Sequence, residues 1–135
     1  DEYLEKNQQV MVMGDINDGF ELDFYENKFS KSAVEILLGD LWKPEHILKS
    51  VLPKPKLNSY GYTPNSSRYK DRITGDHVNV LIDHILASQK LRVKSGKVWN
   101  PYLEKDSPEV QRVKNSLMKA ADHFPILCEI ETLNP

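Results

Sequence analysis

The sequence predicts an α+β fold in which one layer of sheet is covered by helices. Three observations carry that expectation. Apolar runs of strand length alternate with segments of helical periodicity, and Gly and Pro stand at the boundaries between them. The third is size: 135 residues with 39% hydrophobic content are enough to bury one core, so one domain or one part of a domain is expected. No repeat, heptad or low-complexity tract interrupts the pattern.

Taken in order, Val10 to Met13 is a short apolar run entered from polar residues and closed by Gly14, a buried strand ending in a turn. Phe24 to Leu38 reads as a helix, with Phe29, Ala33, Ile36 and Leu37 at helical spacing and Gly39 as its stop. Trp42 to Leu52 fits one or two short helical turns before Pro53, and residues 53 to 67 are loop-like. Arg68 to Thr74 and Asn79 to Ala87 read as strands joined by a turn at Gly75-Asp76, and Val93 to Trp99 as another. Pro108 to Lys119 suits a helix with Ser107 as N-cap, Pro108 in the first position and Glu109 in the first turn. Pro125 to Thr132 alternates apolar and polar as a half-buried strand does.

Composition narrows the function classes. No apolar stretch approaches the roughly 20 residues of a membrane span, and the opening Asp-Glu-Tyr-Leu-Glu-Lys lacks the basic-then-apolar order of a signal peptide. The single cysteine, Cys128, excludes an internal disulfide and lies in an apolar strand-like run, where a packed structural thiol is expected. That usage suits a cytoplasmic location. The net charge of −2 hides a division: residues 1–45 carry eleven acidic and four basic side chains, residues 49–75 six basic and one acidic. The basic stretch interleaves Lys49, Lys54, Lys56, Arg68, Lys70 and Arg72 with Tyr60, Tyr62 and Tyr69, which permits an anionic substrate without selecting a polynucleotide. A solvated loop with ordinary charges would look the same.

Chemistry-bearing residues recur at the ends of the apolar runs: Asp15 and Asn17 after the first, Asp83 inside Val80 to Leu86, and Asp122-His123 before the last. Each has an ordinary explanation. Gly-Asp and Asn after a strand are turn chemistry, Asp83 could face solvent on an alternating strand, and Asp122-His123 could be a connector. Yet a carboxylate buried in an apolar strand is costly unless paired, and three carboxylates with an imidazole could meet in one pocket suited to metal-assisted phosphate chemistry. His84 should point to the strand face opposite Asp83 and be a structural or a surface residue. His46 and His77 form no metal-ligand spacing with it or with Cys128.

In this order, with spacings of 68 and 39 residues between Asp15, Asp83 and Asp122 and with Pro125 two positions after His123, the motifs resemble the second half of the endonuclease/exonuclease/phosphatase superfamily. These are metal-dependent phosphoesterases similar to deoxyribonuclease I. The resemblance covers the chain nearly end to end. It implies that residues 1–135 are the C-terminal half of such a domain: half of a four-layer αββα sandwich, with one mixed, largely antiparallel sheet and helices on one face. The N-terminal half would be absent. It implies hydrolysis of a phosphate ester by an activated water, as a phosphodiesterase or nuclease, with Mg2+ or Mn2+ as cofactor. His123 would contact the scissile phosphate or transfer a proton, and Asp83 would hold its ring. Asp15 would orient or deprotonate the water, Asn17 would donate to a phosphate oxygen, and Asp122 would lie on the metal side. Which of Asp15 and His123 is the base stays open, and Arg68 and Arg72 are candidate phosphate contacts.

Two departures accompany the resemblance. Ala121 stands where the family commonly has Ser. The family's principal metal ligand, a Glu of the first half, has no counterpart, and Glu2 and Glu5 lie too near the first motif strand to replace it. The chain alone is therefore expected to be inactive, and its inner sheet face to seek the missing half or a second copy. The alternative is a binding or scaffold module that kept the fold without catalysis. The substrate, whether DNA, RNA, a phosphoinositide or another phosphodiester, is not encoded in these residues.

Overall fold

The computed structural model of the protein describes residues 2–6, 8–19, 30–53 and 80–131. Its centre is a three-stranded antiparallel sheet in the order β1-β3-β2, formed by β1 (Met11–Asp15), β2 (Leu48–Ser50) and β3 (Asp83–Ser88). All six residues of β3 are buried, the polar Asp83, His84 and Ser88 along with Ile85, Leu86 and Ala87, so the strand is covered on both faces and does not alternate. A second, two-stranded antiparallel sheet pairs β4 (Val93–Val98) with β5 (Ile126–Ile130), with an irregular register between Val93 and Ser95. The helices are α1 (Glu2–Glu5), α2 (Ala33–Leu38) and α3 (Pro108–Ala120), and short 3-10 turns occur at Pro44–His46 and Pro101–Leu103. None of the described helices is long and apolar enough to cross a membrane.

The core joins the two sheets. Leu52, Leu81 and Ile85 form its buried cluster, and Met11, Val51, Val98, Ile126 and Cys128 pack around it. The Cys128 thiol is half-buried and lies 4.0 Å from the Met11 thioether, the packing role expected of it. Close approach between the sheets depends on Gly96. A Cβ there would stand 2.5 Å from Val51 Cγ1 and 2.6 Å from the Val51 carbonyl oxygen. On the β2 side, α2 packs through Val34, which is fully buried.

Several expectations hold. Ser107 caps α3 by accepting from the Val110 N–H, with Pro108 in the first turn. The strands expected at Val93 to Trp99 and at Pro125 to Thr132 appear as β4 and β5, and Gly39 ends α2 at φ 96°.

Others are corrected. The helix expected from Phe24 begins at Ala33, where Ser32 and Glu35 form a capping box; Ser30, at φ 61°, and Ser32 are not helical, and residues 20–29 lie outside the described residues. Its buried residue is Val34, while Ile36 and Leu37 are exposed, because fewer than two turns leave room for one inward anchor. The Trp42 to Leu52 segment holds one 3-10 turn and then strand β2, which is at the edge of its sheet among the described residues and too short for periodicity to reveal. Strand β1 runs through Gly14 to Asp15; Gly14 does not end it but sits in the ladder at φ 146°. Among the described residues there are two antiparallel sheets instead of one mixed sheet. The strand expected at Arg68 to Thr74 and most of the basic, tyrosine-rich stretch lie outside the described residues.

Candidate active site

The antiparallel register of β1 and β3 sets Asp15 directly opposite Asp83. The next pair along, Ile16 and Ile82, is hydrogen-bonded at 2.9 Å. Since such pairs alternate, Asp15 and Asp83 form a non-hydrogen-bonded pair, the position at which cross-strand side chains come closest. Two carboxylates there repel one another unless a cation or a proton donor joins them.

His123 is that neighbour. Its Nδ1 lies 2.8 Å from Oδ2 of Asp83, an ion-pair separation between side chains that are 23% and 13% exposed. A carboxylate at this distance favours a proton on Nδ1, which would leave Nε2 as the ring atom for chemistry. Donor atoms of Asp15, Asp83 and His123 all lie within 4.8 Å of one another, a set that could hold a divalent ion.

The connector that delivers His123 is anchored on both sides. Helix α3 ends at Ala121, whose N–H reaches the Leu117 carbonyl. Beyond His123, Phe124 is buried and meets the edge of Tyr102 at 6.1 Å between ring centroids. Lys114 lies over the other partner of that contact, 5.6 Å from the Tyr102 centroid, and reaches Asp106 at 2.6 Å. The hydrogen bond from Lys114 and its charge, with a smaller hydrogen bond from Gln111, hold the exposed Asp106 carboxyl below the usual carboxylate range.

The loop leaving β1 shapes the other side. Oδ1 of Asp15 accepts from the Asn17 N–H at 2.8 Å, closing an Asx turn that puts Asn17 at φ 55°, a left-handed conformation Asn tolerates. Asn17 is exposed at the mouth of the site. Asp122 is also exposed and is not a member of the three-residue donor cluster, although it adjoins His123 in the chain. Arg68 and Arg72 lie outside the described residues.

Sequence reasoning missed Asp18. Its Oδ1 accepts from the Gly19 N–H at 2.8 Å, its Oδ2 accepts from the Ala33 N–H at the start of α2 at 2.6 Å, and its carbonyl contacts His84 Nε2 at 2.8 Å. The Asn17-Asp18-Gly19 string is turn chemistry and signalled a loop, but nothing in it named a partner 66 residues away.

No protein-family model, curated protein or solved structure matches the chain.

Proposed function

We propose that this chain carries the acid–base half of a metal-dependent phosphoesterase site, of the kind its motifs resemble, hydrolysing a phosphodiester by an activated water. One observation carries the reading. Asp15, Asp83 and His123 come from three distant parts of the chain and bring their donor atoms within 4.8 Å, with His123 paired to Asp83 at 2.8 Å. A carboxylate, an oriented imidazole and a second carboxylate are the parts needed to move a proton to or from a water and a leaving oxygen.

In this reading Asp83 fixes the ring and tautomer of His123, leaving Nε2 to meet the phosphate or the leaving group. Asp15, one oxygen held by the Asn17 N–H, turns the other toward the attacking water. The Asn17 amide is exposed and can donate to a phosphate oxygen. Asp122, exposed beside His123, offers the oxygen donors that magnesium takes. With the family's glutamate, it would hold an ion that neutralises charge developing at phosphorus.

The test is Mg2+-dependent hydrolysis of bis-p-nitrophenyl phosphate. It compares the 135-residue chain with a form extended at its N-terminus to include the first half that the resemblance calls for. Turnover is expected in the extended form and lost in its His123→Ala variant. Activity of the extended form that survives His123→Ala undiminished would refute the reading, and an extended form with no activity on any phosphodiester offered would favour the binding module.

A further inference from the structure

We infer that His84, on the face of β3 opposite Asp83, is a positioning residue that fixes the Asp15–Asn17 segment at the site. The inference rests on the phosphoesterase reading for its consequence, but not for its geometry.

Neighbouring residues of a strand point to opposite faces, so Asp83 and His84 act in different layers. Asp83 meets His123 on one side of the sheet. On the other side His84 is 1% exposed, and its Nε2 approaches the Asp18 carbonyl oxygen to 2.8 Å. That oxygen only accepts, so Nε2 of His84 carries a proton and donates. The carboxylate of Asp18 meanwhile takes the backbone N–H groups of Gly19 and of Ala33. The loop is thereby tied to β3 through His84 and to α2 through Ala33.

The consequence lies up to three residues upstream. The segment from Asp15 to Asp18 is held at its start by the β1–β3 ladder and at its end by the Asp18 carbonyl. Between these anchors Asn17 adopts φ 55° with its N–H on Asp15 Oδ1. A non-glycine residue with positive φ persists where its surroundings over-determine it. The Asx turn sets this local conformation and the second anchor holds the segment that carries it, so His84 acts on the Asn17 amide and the Asp15 carboxylate through Asp18. A histidine that merely filled space would leave the loop indifferent to the loss of its ring donor.

The experiment uses the 135-residue chain and NMR. His84→Phe keeps bulk and removes the donor, and His84→Gln restores an amide N–H of similar reach. In His84→Phe, exchange of the Asn17 and Gly19 amides should accelerate about tenfold, the loss of roughly one net hydrogen bond, while amides of β5 keep their rates. His84→Gln should recover most of the protection. Unchanged Asn17 exchange in His84→Phe, or equal acceleration of β5 and the loop, would overturn the inference. Should His84→Phe not fold, the wild-type ring decides the matter: a long-range 1H–15N spectrum must show a proton on Nε2 of His84, and a ring protonated on Nδ1 alone excludes the bond to Asp18. None of these readouts uses hydrolysis, so a failed phosphoesterase reading and a failed positioning role give different results.

Discussion

Replacing Asp15 with Asn should stabilise the protein while removing a residue the proposed chemistry needs. The carboxylates of Asp15 and Asp83 face each other across a non-hydrogen-bonded pair, with donor atoms no more than 4.8 Å apart. Two unit charges at that distance repel by about 0.9 kcal/mol in a water-like dielectric and by about 3.5 kcal/mol at an effective dielectric of 20. Asp15 is exposed, so the lower figure governs, and the nearby His123 offsets part of it. Asn keeps the Oδ1 acceptor for the Asn17 N–H, so the Asx turn survives. The expected gain is about 0.5–1 kcal/mol, within the range of cross-strand charge effects, or roughly 1–5 °C in Tm for a chain of this size. Urea denaturation of the variant and the wild type measures it, and repeating the pair in 1 M salt should shrink the difference through screening. A variant destabilised by more than about 1 kcal/mol would refute the argument, since Asp15 would then be supporting the fold.

Other outcomes follow from the same structure. His123→Ala in an N-terminally extended form should lower kcat by about 10²–10⁴-fold, the usual contribution of a positioned acid or base, read with a phosphodiester substrate; a change within experimental scatter would remove His123 from the chemistry. Gly96→Ala should cost about 1–3 kcal/mol in urea denaturation, because its Cβ would meet the Val51 carbonyl at 2.6 Å and backbone cannot rotate aside. A neutral Gly96→Ala would mean that β4 can slide away from Val51. Lys114→Ala should let the Asp106 carboxyl rise toward its ordinary titration range, followed by NMR of its side-chain carbon. Because the folded protein depresses this group, its contribution to stability is present above the ordinary carboxylate range and fades as pH falls through the depressed folded value. The variant should lose that acid-side dependence, and an unmoved Asp106 titration would exclude Lys114 as its cause.

Much of the site was legible because strand ends advertise themselves. Asp83 stood inside an apolar run, where burial of a carboxylate demands a partner, and the partner is His123 at 2.8 Å. Strict two-residue alternation also put His84 on the opposite face, where it is buried. Register was not legible. Nothing local says that Asp15 faces Asp83 instead of His84, yet a one-residue slip would exchange their faces and dissolve the cluster. The helix ending at Gly39 was overextended because Phe29, Ala33 and Ile36 keep helical spacing, whereas the capping box at Ser32 and Glu35 set the true start. Strand β2 was missed because three residues cannot display a period.

The pattern of obeyed and broken local rules bears on where function lies. Away from the site the described residues mostly follow the rules, Ser30 at φ 61° excepted: Ser32 and Glu35 cap one helix, Ser107 and Pro108 begin another, Lys94 pairs with Glu129 across β4 and β5, and Arg92 pairs with Glu131 beside them. Between Gly14 and Asn17 three uncommon arrangements fall within four residues. A glycine occupies a ladder position at φ 146°, a carboxylate opposes a carboxylate, and an Asn is held at φ 55°. Each departure costs stability on its own, and a chain under no other constraint could avoid all three by common substitutions. They fall together at the mouth of the cluster that also holds Asp83 and His123, which is where a fold would tolerate strain in return for geometry. That concentration would be hard to explain for a plain connector, and it is why the stabilising Asp15→Asn substitution is the most direct probe of whether these residues serve the fold or the site.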